Sequence, residues 1–247
     1  MTDEILTPFV SLILPVYQNL KEALVTISHL QKVLASTRYD YEMIAVVDGI
    51  EKKKLKRLTT KNISKVTFLG YEHHECKAYA IRLGMSKARG DYVMFIDSGR
   101  EIDPNGVSML LEHMQWYDAD IIVGSKRHLA SKVNYPLERK ILSYGYYWLV
   151  KILFGISVHD TQAGIKVFKK KVLKKILPRL VEKKFAGDLE MLVVARHLGF
   201  IRIYEAPIKL NYRLTNVTSA ATMRSITGIL VDTSAIFYRL NFLRYYD

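Results

Sequence analysis

The sequence predicts an α/β fold in which a mainly parallel sheet is flanked by helices. Apolar runs of strand length alternate with helical apolar patterns, and two of these runs end at an aspartate, Asp48 and Asp97. Strands that alternate with helices favour parallel pairing through right-handed crossovers. The 247 residues are 49% hydrophobic, enough for one large core, and no repeat or long linker divides them. We therefore expect a single domain over 1–247.

The elements are predicted in order from their apolar spacing. Five strands are predicted, at Val10–Val16, Met43–Val47, Lys65–Leu69, Tyr92–Ile96 and Ile121–Val123. Helices are predicted at Asn19–Ser36, Glu51–Leu58, Lys77–Ala88, Leu137–Phe154 and Thr222–Tyr245. A further helix is expected to open at Pro104, because the first turn of a helix does not need the missing N–H.

The charge of the chain is strongly positive, at +13, and unevenly distributed. Residues 124–184 alone carry fifteen Lys or Arg against three acids, a net charge of +12. Such a field attracts phosphates on nucleotides, nucleic acids or anionic membranes, although a solvated basic face is an equally ordinary interpretation. No helix-turn-helix, zinc-finger or aromatic RNA-binding pattern accompanies the charge, so we expect no nucleic-acid partner.

Membrane contact is expected to be peripheral. No apolar run reaches the roughly 18 uncharged residues of a membrane span, and the longest, Tyr146–Val158, contains Lys151. The acidic start of the chain shows no targeting signal, and the single Cys76 excludes an intramolecular disulfide and suits a reducing compartment. The two C-terminal amphipathic helices either pack on the core or lie in a membrane interface.

The most informative residue is Asp97, which follows the strand Tyr92–Ile96 directly. In open α/β sheets ligands bind beyond the carboxyl ends of the strands, so Asp97 is expected to face a cleft. The run from Gly84 to Glu101 resembles the signature of family 2 glycosyltransferases of the GT-A fold, and most closely the polyprenyl-phosphate (dolichyl-phosphate) hexose synthases. That family ends the strand with Asp-x-Asp, which holds a divalent metal against the diphosphate of a sugar nucleotide. Here Gly99 replaces the second Asp.

Two further donor-side motifs resemble the family in part. Val47-Asp48-Gly49-Ile50 stands where the family has Asp-Asp-Gly-Ser, and Lys77 lies where it has Gly-Lys-Gly before a helix. Asp48 could equally be an ordinary turn residue, and Lys77 a solvated residue at a helix start. The resemblance implies donor binding by this set: Pro15, Tyr17, Asp48, Lys77, Asp97, Ser98 and Arg213.

The acceptor-side motifs match the family more closely. Residues 160–164 read Asp-Thr-Gln-Ala-Gly, as in the family's Asp-Thr-Gln-x-Gly, and residues 185–190 match its Phe-x-x-Asp-x-Glu. The resemblance implies that Asp188 acts with Asp97 in catalysis. It also implies an acceptor phosphate site of Arg127, Arg139, Lys140, Ser143 and Gln162. The nucleotide-sugar half would span about 1–123 and the acceptor half about 124–247.

The incomplete Asp-x-Asp motif leaves three alternatives for metal use. Asp97 and Glu101 could share a Mg²⁺ or Mn²⁺ ion, since such ions need only one or two protein carboxylates beside substrate phosphates. Arg100 could instead neutralise the leaving diphosphate without metal. In the third alternative the site has lost both metal binding and chemistry.

The activity that the resemblance implies is the inverting transfer of a hexose from GDP-mannose or UDP-glucose to a polyprenyl or dolichyl phosphate. It would take place at the cytoplasmic face of a membrane. The second hypothesis is a non-catalytic homologue that binds nucleotide, lipid or a partner glycosyltransferase. A transferase for soluble sugars is disfavoured, because the basic segment suits an anionic acceptor.

Overall fold

A computed structural model describes residues 7–17, 19–99, 101–131, 137–184, 186–210 and 223–247, with the backbone alone for 137–141 and 223–225. These residues form one seven-stranded sheet in the order β3-β2-β1-β4-β6-β5-β7. The strands are β1 (Val10–Tyr17), β2 (Tyr41–Asp48), β3 (Val66–Tyr71), β4 (Tyr92–Ile96), β5 (Ile121–Ser125), β6 (Ile165–Lys169) and β7 (Ile203–Pro207).

Eight α-helices and a short 3₁₀ turn, Leu177–Arg179, cover the sheet in the described ranges. The helices are α1 (Leu20–Ala35), α2 (Lys52–Thr59), α3 (Lys77–Lys87), α4 (Gly106–Trp116), α5 (Leu137–Phe154), α6 (Lys170–Ile176), α7 (Gly187–His197) and α8 (Met223–Asn241). Helix α1 begins where Asn19 accepts a hydrogen bond from the N–H of Glu22 at 3.2 Å, which satisfies one of the orphan donors of the first turn.

The predicted α/β class with a mainly parallel sheet is confirmed. Strands β1 to β4 pair in parallel, as do β5 and β7. Strand β6 differs, because it runs antiparallel to both β4 and β5. The sequence-based prediction missed β6, β7, α6 and α7. In β6 the lysines Lys166 and Lys169 interrupt the apolar pattern, and β7 contains Glu205 and Pro207, so neither reads as a buried strand.

Two predicted helix boundaries were wrong by several residues. The helix expected to open at Pro104 begins at Gly106, because residues 104–105 form a turn ahead of it. The last helix ends at Asn241 rather than at Tyr245, where the chain turns back through a positive φ of 48° at Arg244. Tyr246 is consequently fully buried, and its hydroxyl donates a hydrogen bond to Glu190 at 2.7 Å.

The core lies on the two faces of the sheet, as the period of two along a strand requires. On the first face Leu12 and Leu14 of β1 belong to a cluster that contains the buried residues of α1 and α4. On the second face Ile13 belongs to a cluster with Ile81 of α3 and Leu192 of α7. Each such aliphatic side chain contributes about 1.5–3 kcal/mol when buried. The sheet is therefore a rigid platform for whatever its edges carry.

Several of the candidate site residues lie at one edge of the sheet. Tyr17 and Asp48 lie at the carboxyl ends of β1 and β2, and Asp97 follows β4. Because β6 is antiparallel to β4, Gly164, the residue before β6, lies beside Asp97. The N–H of Asp97 donates a hydrogen bond to the carbonyl of Gly164 at 2.8 Å. The antiparallel strand β6 thus brings the segment 160–164 to the same edge of the sheet.

Candidate active site

A charged cluster of four side chains lies at this edge, on the second face of the sheet. The ammonium of Lys77 lies 2.8 Å from Oδ1 and 3.0 Å from Oδ2 of Asp97, and 3.4 Å from Oδ2 of Asp188. Lys166 Nζ contacts the other oxygen of Asp188 at 2.7 Å and the carbonyl of Ala163 at 2.8 Å. The structure therefore brings together Lys77, Asp97 and Asp188, which the sequence singled out separately.

Two helix N-termini deliver this cluster. Lys77 is the first residue of α3 and Asp188 the second residue of α7. The two ends approach closely because Gly187 has no side chain: a Cβ there would lie 2.4 Å from the Cβ of Ala78. Helix N-termini carry partial positive charge and unpaired N–H groups, so both ends favour anions.

Burial and neighbouring charges act in opposite directions on the pKa values of Asp188 and Lys77. Burial alone would raise the pKa of Asp188, but Lys166 and Lys77 outweigh it and hold that pKa below its usual range. Burial would lower the pKa of Lys77, but Asp188 and Asp97 raise it above the ordinary lysine value. Both groups are therefore ionised at neutral pH, and the pair is held by charge-assisted hydrogen bonds.

Lys166 is the site residue that sequence reasoning missed. Its side chain is 0% exposed. Desolvation by burial lowers its pKa, and the neighbouring Asp188 raises it by less, so that the pKa is lowered overall. The sequence does contain a signal: Lys166 interrupts the apolar run Ile-Lys-Val-Phe only two residues after Gly164. A lysine at an inward position of a strand needs an acidic partner, and Asp188 is that partner.

Asp48 stands in a different environment from that expected of a base-recognition residue. Its side chain is only 4% exposed. Its Oδ1 accepts the N–H of Glu75 at 3.0 Å, and its Oδ2 accepts the N–H of Cys76 at 3.1 Å and contacts Nδ1 of His74 at 2.7 Å. Asp48 therefore shapes the loop before α3. The exposed surface at this place consists of the rings of Tyr17 and His74, whose centroids are 4.7 Å apart.

The other expected donor residues are less accessible or fall outside the description. Pro15 is buried within β1, opposite Val46 of β2. Ser98 is half-buried, and its carbonyl accepts a hydrogen bond from the Thr26 hydroxyl at 3.2 Å. Arg213 lies outside the described residues, as does Arg100.

Cys76 adopts a strained backbone conformation where the family has glycine. Its φ of 72° and ψ of 167° lie in a region that is essentially reserved for glycine. Such strain lowers the stability of the folded state by about 1–3 kcal/mol. A glycine at this position would relieve the strain but would lower the stability by about 0.4–1 kcal/mol, because it gives the unfolded chain more entropy. The first replaced glycine of the Gly-Lys-Gly motif is therefore a local source of instability.

We expect Cys76→Gly to raise the free energy of unfolding by about 1 kcal/mol, the difference between relieved strain and glycine entropy. Urea denaturation measures it as a higher midpoint at an unchanged m value. Cys76→Ser is the matched control, because it removes the thiol and keeps the Cβ at the same φ. Equal stability of the two variants would contradict the strain assigned to this position.

Arg127 and Gln162, which the resemblance assigns to the acceptor, lie just beyond the paired ends of β5 and β6. The antiparallel register pairs Val123 with Lys166, so the segment after β5 and the segment before β6 leave the sheet at the same edge. The N–H of Lys126 donates to Asp160 at 3.1 Å, which keeps the two segments together beyond the strands. The guanidinium of Arg127 also lies 5.2 Å from the centre of the Tyr144 ring.

A buried donor of Arg127 has no partner within the described part of the chain. Its Nη1 is enclosed and makes no hydrogen bond there, while the Nε2 of Gln162 is enclosed beside the hydroxyl of Tyr146. A buried cationic N–H without an acceptor is costly, so such a group points to an anionic ligand. Of the remaining acceptor candidates, Ser143 is half-buried on α5. The side chains of Arg139 and Lys140 are not among those that the structure describes.

The residues present do not fit the divalent metal site that the family resemblance implies. One or two carboxylates can suffice for Mg²⁺, so the decisive observation is the position of the Lys77 ammonium. It donates a hydrogen bond to Oδ2 of Asp97 at 3.0 Å and lies 2.8 Å from Oδ1, an enclosed oxygen without a hydrogen bond in the described residues. Gly99 supplies no side-chain oxygen, and Glu101 is exposed. Among the described residues, no group of three acidic, His or Cys side chains could hold an ion.

This sheet, with its cationic and acidic cluster beyond β4, has the architecture of a GT-A glycosyltransferase. Solved structures confirm the fold. Glucosyl-3-phosphoglycerate synthase from Mycobacterium tuberculosis, in complex with Mn²⁺, UDP-glucose and phosphoglyceric acid, matches with a TM-score of 0.66 at 13% identity, covering 94% of this chain and 79% of that one. Mannosyl-3-phosphoglycerate synthase from Rubrobacter xylanophilus matches with a TM-score of 0.65 at 13% identity, covering 94% and 74%.

The sequence profile of glycosyl transferase family 2 matches residues 11–177, more than half of the chain. The protein therefore belongs to glycosyltransferase family 2, as the motifs predicted. A dolichyl-phosphate beta-glucosyltransferase from Dictyostelium discoideum is 28% identical over 180 residues, which is 68% of this chain and 55% of that protein. The human protein of the same name is 26% identical over 216 residues, 83% of this chain and 65% of its own length. The chain thus spans little more than half of the Dictyostelium relative.

Proposed function

We propose that this chain transfers glucose, with inversion, from a nucleotide sugar to a polyprenyl or dolichyl phosphate. The observation that carries the proposal is the enclosed Nη1 of Arg127, which has no hydrogen-bond partner among the described residues and favours an anionic acceptor beside a sugar-nucleotide site. The names of the relatives favour glucose, and hence UDP-glucose over GDP-mannose. The solved neighbour that contains UDP-glucose supports the same donor class.

The donor side would hold the diphosphate at the start of α3. Its first N–H groups and the ammonium of Lys77 form a cationic seat next to Asp97. The rings of Tyr17 and His74, tilted by 34° to each other, offer an exposed aromatic surface to a nucleobase. The oxygen of Asp188 that faces Lys77 rather than Lys166 would accept hydrogen bonds from sugar hydroxyls.

The acceptor phosphate would lie against Arg127 and Gln162. A phosphate monoester has a second pKa near 6 and is largely dianionic at neutral pH. It needs positioning cations more than a base. Burial raises the pKa of Tyr146 to about 12, so its hydroxyl remains protonated close to Gln162.

The chemical step then balances without a further co-reactant. A phosphate oxygen of the acceptor attacks the anomeric carbon and forms the new C–O bond. The bond from that carbon to the diphosphate oxygen breaks on the opposite face, and the electron pair stays on the leaving nucleoside diphosphate. Lys77 stabilises the leaving charge as it develops.

A lipid acceptor also requires contact with a membrane, and helices α5 and α8 provide a surface for it. They pack together through Tyr146 and Thr233, whose hydroxyl oxygens are 3.0 Å apart. Their outer faces expose Trp148 and Ile152 of α5, while Phe242, just beyond α8, is 69% exposed. Apolar side chains beside cations such as Lys151, 4.9 Å from the Trp148 ring, suit an interfacial position on the cytoplasmic face. No helix in the described ranges has the length and apolarity of a membrane span.

The proposal is tested with purified protein, radiolabelled UDP-glucose or GDP-mannose, and dolichyl phosphate in vesicles, each with added Mn²⁺ or with EDTA. We expect a glucosyl lipid, and no product from Asp97→Ala. The arms with Mn²⁺ and EDTA also test the divalent ion that the resemblance assigns to Asp97 and Glu101. A folded protein that gives no product with either donor would refute the transferase and favour the binding homologue.

We expect Arg127→Ala to raise the KM for the lipid phosphate about 10- to 100-fold, since a hydrogen bond to a charged group contributes about 1.5–3 kcal/mol. The KM for UDP-glucose should stay within about twofold. Arg57→Ala, at an exposed position of α2, removes the same charge far from the site and serves as the matched control. An unchanged lipid KM in Arg127→Ala would remove Arg127 from the acceptor site.

A further inference from the structure

The ammonium of Lys77 lies where a divalent ion would need to bind. In a metal site, carboxylate oxygens from different elements converge on one point. Here the oxygens of Asp97, from the end of β4, and Oδ2 of Asp188, from α7, converge on Lys77 Nζ at 2.8, 3.0 and 3.4 Å. The convergence is therefore present, but a lysine of the chain itself provides the cation.

The formal charge of the cluster is balanced, because two lysines, Lys77 and Lys166, face two carboxylates, Asp97 and Asp188. Lys166 is fully buried and bound to Asp188, so it cannot move away to expose a net negative site. A divalent ion entering here would meet two lysine side chains instead of the acidic field that normally attracts it.

Lys77 retains the means to bind a phosphate while it holds the two carboxylates. An ammonium has three N–H donors, and Asp97 and Asp188 require two of them. Its side chain is 39% exposed, so the third donor can reach a ligand. The N–H groups at the start of the eleven-residue helix α3 point to the same place and add to the attraction for an anion.

We infer that Lys77 acts as the built-in cation of this site, so that the chain binds a nucleoside diphosphate and stabilises its departure without a divalent metal. The inference rests on the proposed function, since it concerns the donor half of the same site. It assigns to one side chain the role that Mn²⁺ or Mg²⁺ would otherwise have.

Calorimetric binding of UDP and GDP, in EDTA and in Mn²⁺, provides the test. For the wild type we expect the Kd of the preferred nucleotide to agree within about twofold in the two buffers. Lys77→Met should weaken binding in EDTA by about 10- to 100-fold, the value of one charge-assisted hydrogen bond. Mn²⁺ should restore binding to this variant, because Asp97 and Asp188 would then converge on a place without an ammonium. Lys77→Arg keeps the charge and should not need Mn²⁺.

Gly99→Asp supplies the converse variant, in which the Asp-x-Asp motif is rebuilt. The nearest atom to a Cβ at Gly99, among the described residues apart from its chain neighbours, is Glu101 Cγ at 4.0 Å, so the new Cβ meets no close contact there. Titration with Mn²⁺ alone, followed by electron paramagnetic resonance, should show tighter binding to this variant than to the wild type. Circular dichroism confirms that each variant is folded.

The outcomes separate the inference from the proposed function. Nucleotide binding by the wild type that is at least tenfold weaker in EDTA than in Mn²⁺ would overturn the inference and leave the transferase standing. Unchanged binding by Lys77→Met in EDTA would overturn it too. A folded wild type that binds neither UDP nor GDP in either buffer would overturn both.

Discussion

Asp188→Ala is expected to lower the free energy of unfolding by about 3–5 kcal/mol, the cost of leaving one partner of a buried ion pair alone. The partner left alone is Lys166, which is 0% exposed and whose other acceptor, among the described residues, is the carbonyl of Ala163. Urea denaturation followed by circular dichroism measures the loss. The variant should also lose the proposed glucosyl transfer, in which one oxygen of Asp188 would accept hydrogen bonds from the sugar hydroxyls.

The double variant Lys166→Met with Asp188→Leu separates the two effects. Well-packed apolar residues often replace a buried ion pair at little or no cost. We therefore expect this variant to recover most of the lost stability and to remain inactive. Recovery of transfer together with stability would show that Asp188 has no role beyond packing.

The same pair predicts a dependence of stability on pH. The folded pKa of Asp188 is lowered, so between that pKa and the unfolded value near 3.9 the unfolded chain binds more protons. The stability that Asp188 contributes is thus fully present above about pH 4 and is lost as the pH falls further. Wild type should lose stability more steeply than the double variant below pH 4. Parallel curves would contradict the lowered pKa.

The first half of the fold could be predicted because its strands are continuous, and β1, β2 and β4 are almost entirely buried. Strand β2 is buried along its whole length, and β4 ends at Asp97 as predicted. The second half could not, because its strands carry side chains with individual partners. Lys166 pairs with Asp188, and Glu205 accepts N–H groups from the loop before β6, including that of His159 at 2.9 Å. Such partners come from distant parts of the chain and leave no local periodicity.

Three of the four members of the charged cluster were predictable from the sequence, whereas Lys166 and the contacts among the four were not. Motif spacing identified Asp97, Asp188 and Lys77 one by one, but their convergence depends on the antiparallel strand β6 and on the close approach of α3 and α7. The same holds for Asp48, which the motif assigned to the donor. Its four-residue motif could not show that the loop 74–76 folds back onto both of its oxygens.

The second large effect is expected from Gly164→Ala, a change of one methyl group. A Cβ at Gly164 would lie 2.2 Å from Oδ2 and 2.7 Å from Cγ of Asp97, far inside van der Waals contact. The backbone there cannot yield easily, since its carbonyl accepts the N–H of Asp97 and β6 begins at the next residue. The carboxylate of Asp97 must therefore rotate away from Lys77.

Glucosyl transfer by Gly164→Ala should fall by about 100-fold or more, because a misplacement of about 1 Å at a reacting centre can have that effect. Gly145→Ala is the matched control: nothing lies within 4 Å of the added Cβ, and in helix α5 the change should stabilise by about 0.5–1 kcal/mol. Rates are compared at saturating UDP-glucose and lipid, and urea midpoints exclude unfolding. Full activity in Gly164→Ala would mean that the carboxylate orientation seen here is not the one used in transfer. A loss confined to Gly164→Ala would instead show that Asp97 can contact Lys77 only when residue 164 has no side chain. It would also show that this contact is needed for the reaction.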